Sequence, residues 1–234
     1  MRYLAIGAHP DDLELHCFGT LAKLKSQGHY IAVCHVANGC YGSVTIPPEE
    51  LKKIRFGEAE AAAAVIGADH FCADVDDMSV NSHDQDAIRR LADIIRIARP
   101  DVMFISAPND YHPDHTEAGL MALHASFSAT LPNYITDHPY LEKVPYVYYM
   151  NNTSSLEFEP SEWVDISDYM DLKIEALKCH KSQYEWLSAH TSSSVEEGMI
   201  ITNRFRGKQC GAKYAEAFRV CAKAQRIPCK RVLP

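Results

Sequence analysis

The chain alternates, through its first half, between short apolar segments and longer segments with helical periodicity. Buried strands are predicted at residues 2–7, 30–37, 70–73 and 101–106. Helices are predicted at residues 12–27, 49–66, 84–98 and 112–128. Strands that alternate with helices in this way are typical of βαβ units and of a mainly parallel sheet. The pattern therefore predicts an α/β protein with a doubly wound, mainly parallel sheet in the strand order 3-2-1-4.

The second half of the chain follows a looser pattern. Further strands are predicted at 144–150 and 163–167, and a helix at 170–184. The sequence shows no internal repeat, low-complexity tract or linker. We therefore expect a single domain over residues 1–234, with a core at about 1–130 and a C-terminal elaboration at about 131–234.

Composition excludes several classes of protein. Apolar residues make up 47% and charged residues 23%, as in ordinary soluble domains. The net charge of −8 argues against a nucleic-acid partner. No segment reaches the roughly 20 apolar residues of a membrane span, and no secretory leader is recognisable. The eight cysteines form no Cys-x-x-Cys pair and indicate free thiols. We expect a cytoplasmic protein without membrane or nucleic-acid partners.

The tripeptide His-Pro-Asp occurs twice, each time after a predicted strand, as HPDD at 9–12 and HPDH at 112–115. Proline and acidic residues suit the first turn of a helix, but helix capping does not explain the histidines. In the order 3-2-1-4 the first and fourth strands are neighbours, and the chain reverses its winding between them. Sheets of this kind bind ligands at the carboxyl ends of those strands. Both motifs are therefore predicted to face one crevice.

The two motifs together offer the ligands of a catalytic metal. Two imidazoles and a carboxylate bind Zn²⁺ in hydrolytic sites and leave positions open for water and substrate. His9 and Asp12 are one helical turn apart and can aim at one point, and His115 can supply the third ligand. The same set also accepts Fe²⁺.

The remaining polar residues of the motifs suit acid–base chemistry. Asp11 can act as the general base that deprotonates the attacking water. His112, as imidazolium, can stabilise a developing oxyanion and protonate a leaving amine. Asp114 can orient and charge-stabilise an imidazole of the site.

These residues resemble the zinc-dependent de-N-acetylases named after PIG-L and LmbE. The resemblance is carried by AHPDDLE at 8–14 with GT at 19–20, and by HPDH at 112–115. In addition, Arg55, Glu58, Ala59 and residues 62–67 resemble the family's R-x-x-E-A…LG helix, VDDMSV at 75–80 its D-G-x-L segment, and residues 173–183 its K-x-x-A-L-x-x-H-x-S-Q helix. The similarity spans about residues 3–185.

The resemblance implies a Rossmann-like fold and the removal of acetyl groups from N-acetylglucosamine units, including intermediates of mycothiol and bacillithiol. It implies zinc on His9, Asp12 and His115, with Asp11 as base and His112 as acid. These roles agree with those argued from the chemistry of the residues.

The resemblance also suggests where a substrate binds. It implies substrate contacts at Arg55 and Asp77, whose guanidinium and carboxylate suit sugar hydroxyls. On the predicted helix at 170–184, it implies that His180 and Gln183 line the site. We expect a small-molecule amino sugar as the partner, and a homo-oligomer is compatible with the family.

Two departures from the family pattern affect the surroundings of the site. Residues 16–19 read HCFG where the family usually has two or three glycines, and Gly39-Cys40 replaces its usual Gly-Glu. Cys17 and Cys40 are interpreted as buried apolar side chains, because an extra thiolate would close the open metal position. These changes leave the exact substrate open.

The sequence therefore predicts a metal-dependent hydrolase that removes the acetyl group from an N-acetylglucosamine-type substrate and releases acetate and a free amino sugar. One alternative is an amidase acting on a thiol conjugate or another N-acyl amino sugar. A non-catalytic nucleotide-binding module should carry a glycine fingerprint where HPDD stands. A phosphoesterase usually needs two metals, and the motifs supply ligands for one.

Overall fold

The computed structural model describes residues 1–190 and 194–234, and within them a seven-stranded sheet is flanked by helices. The strands are β1 Arg2–Gly7, β2 Tyr30–Ala37, β3 Asp69–Val75, β4 Val102–Ile105, β5 Tyr146–Met150, β6 Glu162–Asp165 and β7 Ala215–Val220. The helices are α1 Asp12–His16, α2 Phe18–Ser26, α3 Pro48–Val65, α4 Gln85–Ala98, α5 Pro113–Ser128, α6 Met170–Leu177, α7 Lys181–His190 and α8 Val195–Cys210. A 3-10 turn covers Ser167–Tyr169. None of the helices in this part of the chain is long and apolar enough to cross a membrane.

The sheet has the strand order β3-β2-β1-β4-β5-β7-β6, which confirms the predicted order 3-2-1-4 and the mainly parallel sheet. Strands β1 to β5 pair in parallel, and β7 is antiparallel to both of its neighbours. Ile6 of β1 pairs with Ile105 of β4. The carboxyl ends of β1 and β4 therefore meet at one edge of the sheet, which places the two His-Pro-Asp motifs side by side.

The central strands are apolar throughout because helices cover both faces of the sheet. Leu4 and Ile6 of β1 pack into one buried cluster with α4 and α5. Tyr3 and Ala5 point to the other face and pack with α2, α3 and α6. Successive side chains of a strand alternate between faces. Such two-sided burial gives the continuous apolar runs that predicted the parallel sheet.

The helix predicted at 12–27 is divided in two at Cys17. Cys17 has φ −146° and ψ 0°, which is not helical. The amides of Gly19 and Thr20 donate to the carboxylate of Glu216 at 3.0 and 2.7 Å. A buried carboxylate from β7 therefore satisfies the free amides at the start of α2. The helical periodicity of residues 12–27 could not predict this break, because the break depends on Glu216 in the C-terminal part of the chain.

The C-terminal half differs most from its predicted elements. The helix predicted at 170–184 is two helices, α6 and α7, and the strand predicted at 163–167 begins at Glu162 and ends at Asp165. Helix α8 and strand β7 were not predicted, although β7 lies between β5 and β6 in the sheet. These segments are short or weakly periodic, so their packing against the core determines their structure more than their own pattern does.

Lys173 forms a fully buried ion pair with Glu216 and donates to the carbonyl of Leu15 at 3.0 Å. We expect Lys173→Met to lower the free energy of unfolding by about 3–5 kcal/mol, because it leaves a buried carboxylate without its counter-charge. Urea unfolding measures this change. Lys181→Met, at an exposed lysine one helix further on, is the control and should change stability by less than about 0.5 kcal/mol. Equal effects of the two substitutions would contradict the structural role of Lys173.

Candidate active site

A cavity of about 550 Å³ opens at the carboxyl ends of β1 and β4. Both His-Pro-Asp motifs line it, together with the loops after β2 and β3 and the first turns of α8. This is the position at which doubly wound sheets bind their ligands. The predicted crevice is therefore present in the structure.

Three histidines and a carboxylate converge at the base of this cavity. His9, His112 and His115 each offer a ring nitrogen, and these three atoms lie within 4.8 Å of one another. Asp12 lies between two of them, with Oδ1 3.4 Å from Nε2 of His115 and Oδ2 3.9 Å from Nδ1 of His9. Imidazole nitrogens and a carboxylate oxygen are the donors that Zn²⁺ and Fe²⁺ prefer. The residues present fit a metal ion.

In two of these histidines, the ring nitrogen that faces away from Asp12 contacts another carboxylate. His9 Nε2 lies 3.0 Å from Asp114 Oδ2, and His115 Nδ1 lies 3.3 Å from Asp110 Oδ2. Carboxylates in this position fix the ring orientation and tautomer of metal-binding histidines. They leave Nδ1 of His9 and Nε2 of His115 facing Asp12. The sequence reasoning missed Asp110, although a carboxylate two residues before HPDH was a usable signal.

Asp12 is held in its charged form. Burial alone would raise the pKa of Asp12, but His115 and His9 hold it well below its usual range. Its Oδ2 also accepts the backbone amides of Ala8 and His9, at 2.9 and 2.8 Å. Oδ1 is the oxygen that remains turned toward His115.

Asp11 combines burial with an unusual backbone. Its φ of 118° and ψ of −24° lie in the region that favours glycine, a conformation that proteins retain mainly at functional sites. Burial raises the pKa of Asp11 to about 6, although Arg55 at 3.5 Å acts in the opposite direction. The residue predicted as general base is therefore a buried carboxyl whose pKa is raised above its usual range.

His112 caps α5 with its side chain. Its Nδ1 accepts the backbone amide of Asp114 at 3.2 Å, so in the neutral ring Nε2 carries the proton. Burial lowers the pKa of His112, and His9 and His115 lower it further. The imidazolium predicted from the sequence carries a proton on both ring nitrogens. It would therefore lose the hydrogen bond that Nδ1 accepts from the backbone amide of Asp114.

Arg55 lies behind the site and is almost fully buried. Its guanidinium donates to the carbonyls of Pro10 and Gly39 and lies 3.5 Å from Asp11. Gly39 has φ 79°, and a Cβ on it would come within 2.5 Å of the Arg55 side chain. Only glycine fits this close approach. The guanidinium that was predicted to contact substrate therefore fixes the backbone at Pro10 and Gly39, and its contact with substrate stays a prediction.

Asp77 and Gln183 line the cavity and hold the loop at 39–42. The two oxygens of Asp77 accept the amides of Gly39 and Tyr41 at 2.8 and 2.9 Å. Gln183 donates to a carbonyl of the same loop at 2.8 Å. Their direct contacts with substrate stay predictions.

His180 was predicted to line the site, but it is not among the described residues that line the cavity. It is fully buried, and its Nε2 is 3.2 Å from the carboxylate of Glu14. Burial opposes the imidazolium, but Glu14 outweighs it and raises the pKa of His180. Cys17 and Cys40 are buried as well, and burial raises the pKa of both thiols, which suits their interpretation as apolar side chains.

Fold and site together define a Rossmann-like α/β protein with a metal-type His/Asp cluster at the switch point of its sheet. Residues 4–126 match the PIG-L family, described as GlcNAc-PI de-N-acetylase, and the chain belongs to this family.

The relatives of this chain include a deacetylase and a hydratase. The chain is 26% identical over 230 residues to a diacetylchitobiose deacetylase of Thermococcus kodakarensis, covering 93% of this chain and 82% of that protein. It is also 26% identical over 205 residues to a 4-oxalmesaconate hydratase of Pseudomonas putida, covering 84% and 79%. Among solved structures, the N,N'-diacetylchitobiose deacetylase from Pyrococcus horikoshii superposes with a TM-score of 0.80 at 26% identity, covering 93% of this chain and 82% of that one.

Proposed function

We propose that this protein is a metal-dependent deacetylase that hydrolyses the acetamide of an N-acetylglucosamine-type substrate to acetate and a free amino sugar. The convergence of His9, Asp12 and His115 beside a buried carboxyl, Asp11, carries the proposal. That arrangement joins a metal site to a base of suitable pKa. The deacetylases among the relatives support the same reaction.

We assign the metal to His9 Nδ1, Asp12 Oδ1 and His115 Nε2, with Zn²⁺ as the expected ion and Fe²⁺ as compatible with the same donors. When bound, the ion supplies a Lewis acid that polarises the acetamide carbonyl and lowers the pKa of water. Asp114 and Asp110 hold the two imidazoles in place.

The remaining groups move protons. Asp11 removes a proton from the attacking water, and its pKa of about 6 suits this role near neutral pH. His112 donates from Nε2 to the oxyanion that develops on the acetamide oxygen. The water oxygen bonds to the acetamide carbon, the C–N bond breaks, and the nitrogen leaves as the amine after taking up a proton, which in net terms is the one that Asp11 removed from the water. Delivery of this proton by the His112 imidazolium requires a proton on Nδ1 as well. The ring must therefore release the backbone amide of Asp114 during turnover.

The charge of the cavity favours deacetylation over the hydratase reaction. The hydratase relative is named for a carboxylate substrate. Among the described residues that line the cavity, Arg55 is the one arginine or lysine, and two backbone carbonyls and Asp11 engage it. Apart from the metal ion that it is proposed to hold, such a cavity offers a polycarboxylate no free counter-charge among these residues, and it suits a neutral sugar better.

Product analysis on the zinc-loaded protein tests the proposal. We expect acetate and free amine in equal amounts from N-acetylglucosaminyl glycosides, and no water addition to 4-oxalmesaconate. Amine formation from a thiol conjugate or another N-acyl amino sugar, without acetate from any glycoside, would favour the amidase. Neither acetate nor amine from any substrate would refute the proposal.

Asp110→Asn tests the metal assignment at a residue that contacts a ligand but is not a ligand itself. The carboxylate contacts His115 Nδ1 at 3.3 Å and accepts the backbone amides of His112 and Thr153. We expect about 10–100-fold weaker metal binding, because the ring of His115 loses its orienting partner. Competition with a chelating dye measures the affinity. Unchanged affinity would contradict the role of Asp110.

A further inference from the structure

The two sides of the cavity differ in chemistry. Among the described residues that line it, all the ionisable groups with a metal, base or acid role lie on the strand-end side. The opposite side is the beginning of α8, where Val195, Gly198, Met199 and Thr202 face the cavity. These four residues, which we call the α8 wall, carry one hydroxyl and no charge.

We propose that the α8 wall receives an uncharged, largely apolar group attached to the amino sugar, and that Gly198 sets how large this group can be. This inference rests on the proposed deacetylase function, because the acetamide has to reach the strand-end side. The part of the substrate that lies beyond the sugar then extends toward α8.

Among the described residues that line the cavity, none is a free cation that could bind an anionic group at the α8 wall. Arg55 is on the far side of the cavity, and the carbonyls of Pro10 and Gly39 engage its guanidinium. The segment 185–193, directly before α8, contains no lysine or arginine. A carboxylate or phosphate placed here would lose its hydration without gaining a counter-charge.

The beginning of α8 does not serve as an anion site either. A helix start attracts negative charge through its free amides and its dipole. Here the hydroxyl of Ser194 accepts the amide of Glu197 at 3.1 Å. Glu196 and Glu197 also place two carboxylates in the first turn, and Glu196 engages the nearby Lys178 at 3.0 Å, so this lysine is not free to bind an anion. The two glutamates offset the helix dipole, and the charge of Glu197, which has no ion-pair partner among the described residues, disfavours an anion.

Gly198 leaves open space in the middle of the wall. It lies inside α8 with no positive φ, and a Cβ built on it would meet no atom within 4 Å. Neither backbone conformation nor packing therefore requires glycine, although glycine destabilises a helix interior relative to alanine. The space above it opens into the cavity, where a bulky substrate group can lie against the helix backbone.

Exposed apolar side chains lie both around the cavity and further along α8. Tyr41, Met78 and Tyr111 line the cavity and are 57%, 63% and 72% exposed. Ile201 and Phe205 follow three and seven residues after Gly198 on α8, on the same side of the helix, and are also exposed. Exposed apolar surface at the edge of a site is typical of a binding surface.

Substrate selectivity tests the inference on the zinc-loaded protein. The probes are the methyl, phenyl and malate-linked glycosides of N-acetylglucosamine, compared by kcat/KM for acetate release. We expect the phenyl glycoside to exceed the methyl glycoside by about tenfold, which is the usual effect of filling an apolar pocket. The malate-linked glycoside should be the poorest of the three. A preference for the malate-linked glycoside would overturn the inference.

Gly198→Leu should lower the phenyl-to-methyl selectivity about tenfold by filling the space. Gly57→Leu is the matched control, since Gly57 also lies inside a helix with no atom within 4 Å of a built Cβ, but on α3 and away from the cavity. It should leave both rates and the selectivity unchanged. An unaltered selectivity in Gly198→Leu would overturn the role of Gly198.

A binding measurement separates failure of this inference from failure of the proposed function. Phenyl and methyl glucosaminides are free amines that cannot be deacetylated, and calorimetry gives their affinities for the wild type and Gly198→Leu. We expect the phenyl compound to bind the wild type more tightly, and the advantage to vanish in the variant. If the phenyl compound binds in this way but no acetate is released from any glycoside, the proposed function is refuted and the α8 wall is not. Equal affinities in the wild type refute the α8 wall.

Discussion

Replacing Asp11 by asparagine is expected to lower the rate of acetate release by about 10²–10⁴-fold, the usual contribution of a general base. Asn has the shape of Asp and tolerates a positive φ better than most residues, so the backbone at φ 118° should persist. It cannot take a proton from water. Because Asp12, and not Asp11, lies between His9 and His115, the variant should keep its metal.

Metal content and rate have to be measured on the same Asp11→Asn preparation. Asp168→Asn, at an exposed aspartate far along the chain, is the control and should match the wild type in both. Loss of the metal from Asp11→Asn would show that Asp11 is a ligand. A rate within tenfold of the wild type would show that the base is another group.

Replacing His115 by alanine is expected to abolish both metal binding and acetate release. The effect on metal affinity should exceed the roughly 10–100-fold loss expected for an orienting partner such as Asp110, because a ligand itself is removed. Its ring nitrogens lie 3.4 Å from Asp12 and 3.3 Å from Asp110. The truncation therefore also leaves two buried carboxylates without their shared partner.

His124→Ala is the matched control for His115→Ala, because His124 lies on the same helix, α5, and is exposed. Metal content by mass spectrometry and acetate release should be unchanged in this control. A His115→Ala protein that binds zinc as tightly as the wild type would contradict the ligand assignment, whatever its activity.

The position of the site could be predicted from the sequence because two local patterns coincide. Apolar runs separated by helical periodicity predict a parallel sheet, and the usual winding of such sheets makes the first and fourth strands neighbours. The structure pairs Ile6 with Ile105 as this reasoning requires. Motifs directly after those strands must then share one edge of the sheet.

Features that depend on distant partners could not be predicted in the same way. The break at Cys17 follows from Glu216 on β7, and the loop at 39–42 is held by Asp77 and Gln183. No local periodicity encodes such contacts. Helix α8 supplies one side of the cavity although no catalytic motif lies on it, so its contribution to the site emerges only from the tertiary packing.

The assignment of His9, Asp12 and His115 as ligands, with Asp11 and His112 left free for proton transfer, is tested most directly by anomalous diffraction at the zinc edge. The structure brings a ring nitrogen of His112 within 4.8 Å of those of His9 and His115, so the choice of ligands decides the mechanism. We predict one peak at about 2.0–2.2 Å from His9 Nδ1, Asp12 Oδ1 and His115 Nε2. A peak bonded to His112 or to Asp11, or one outside the cavity, would contradict this account.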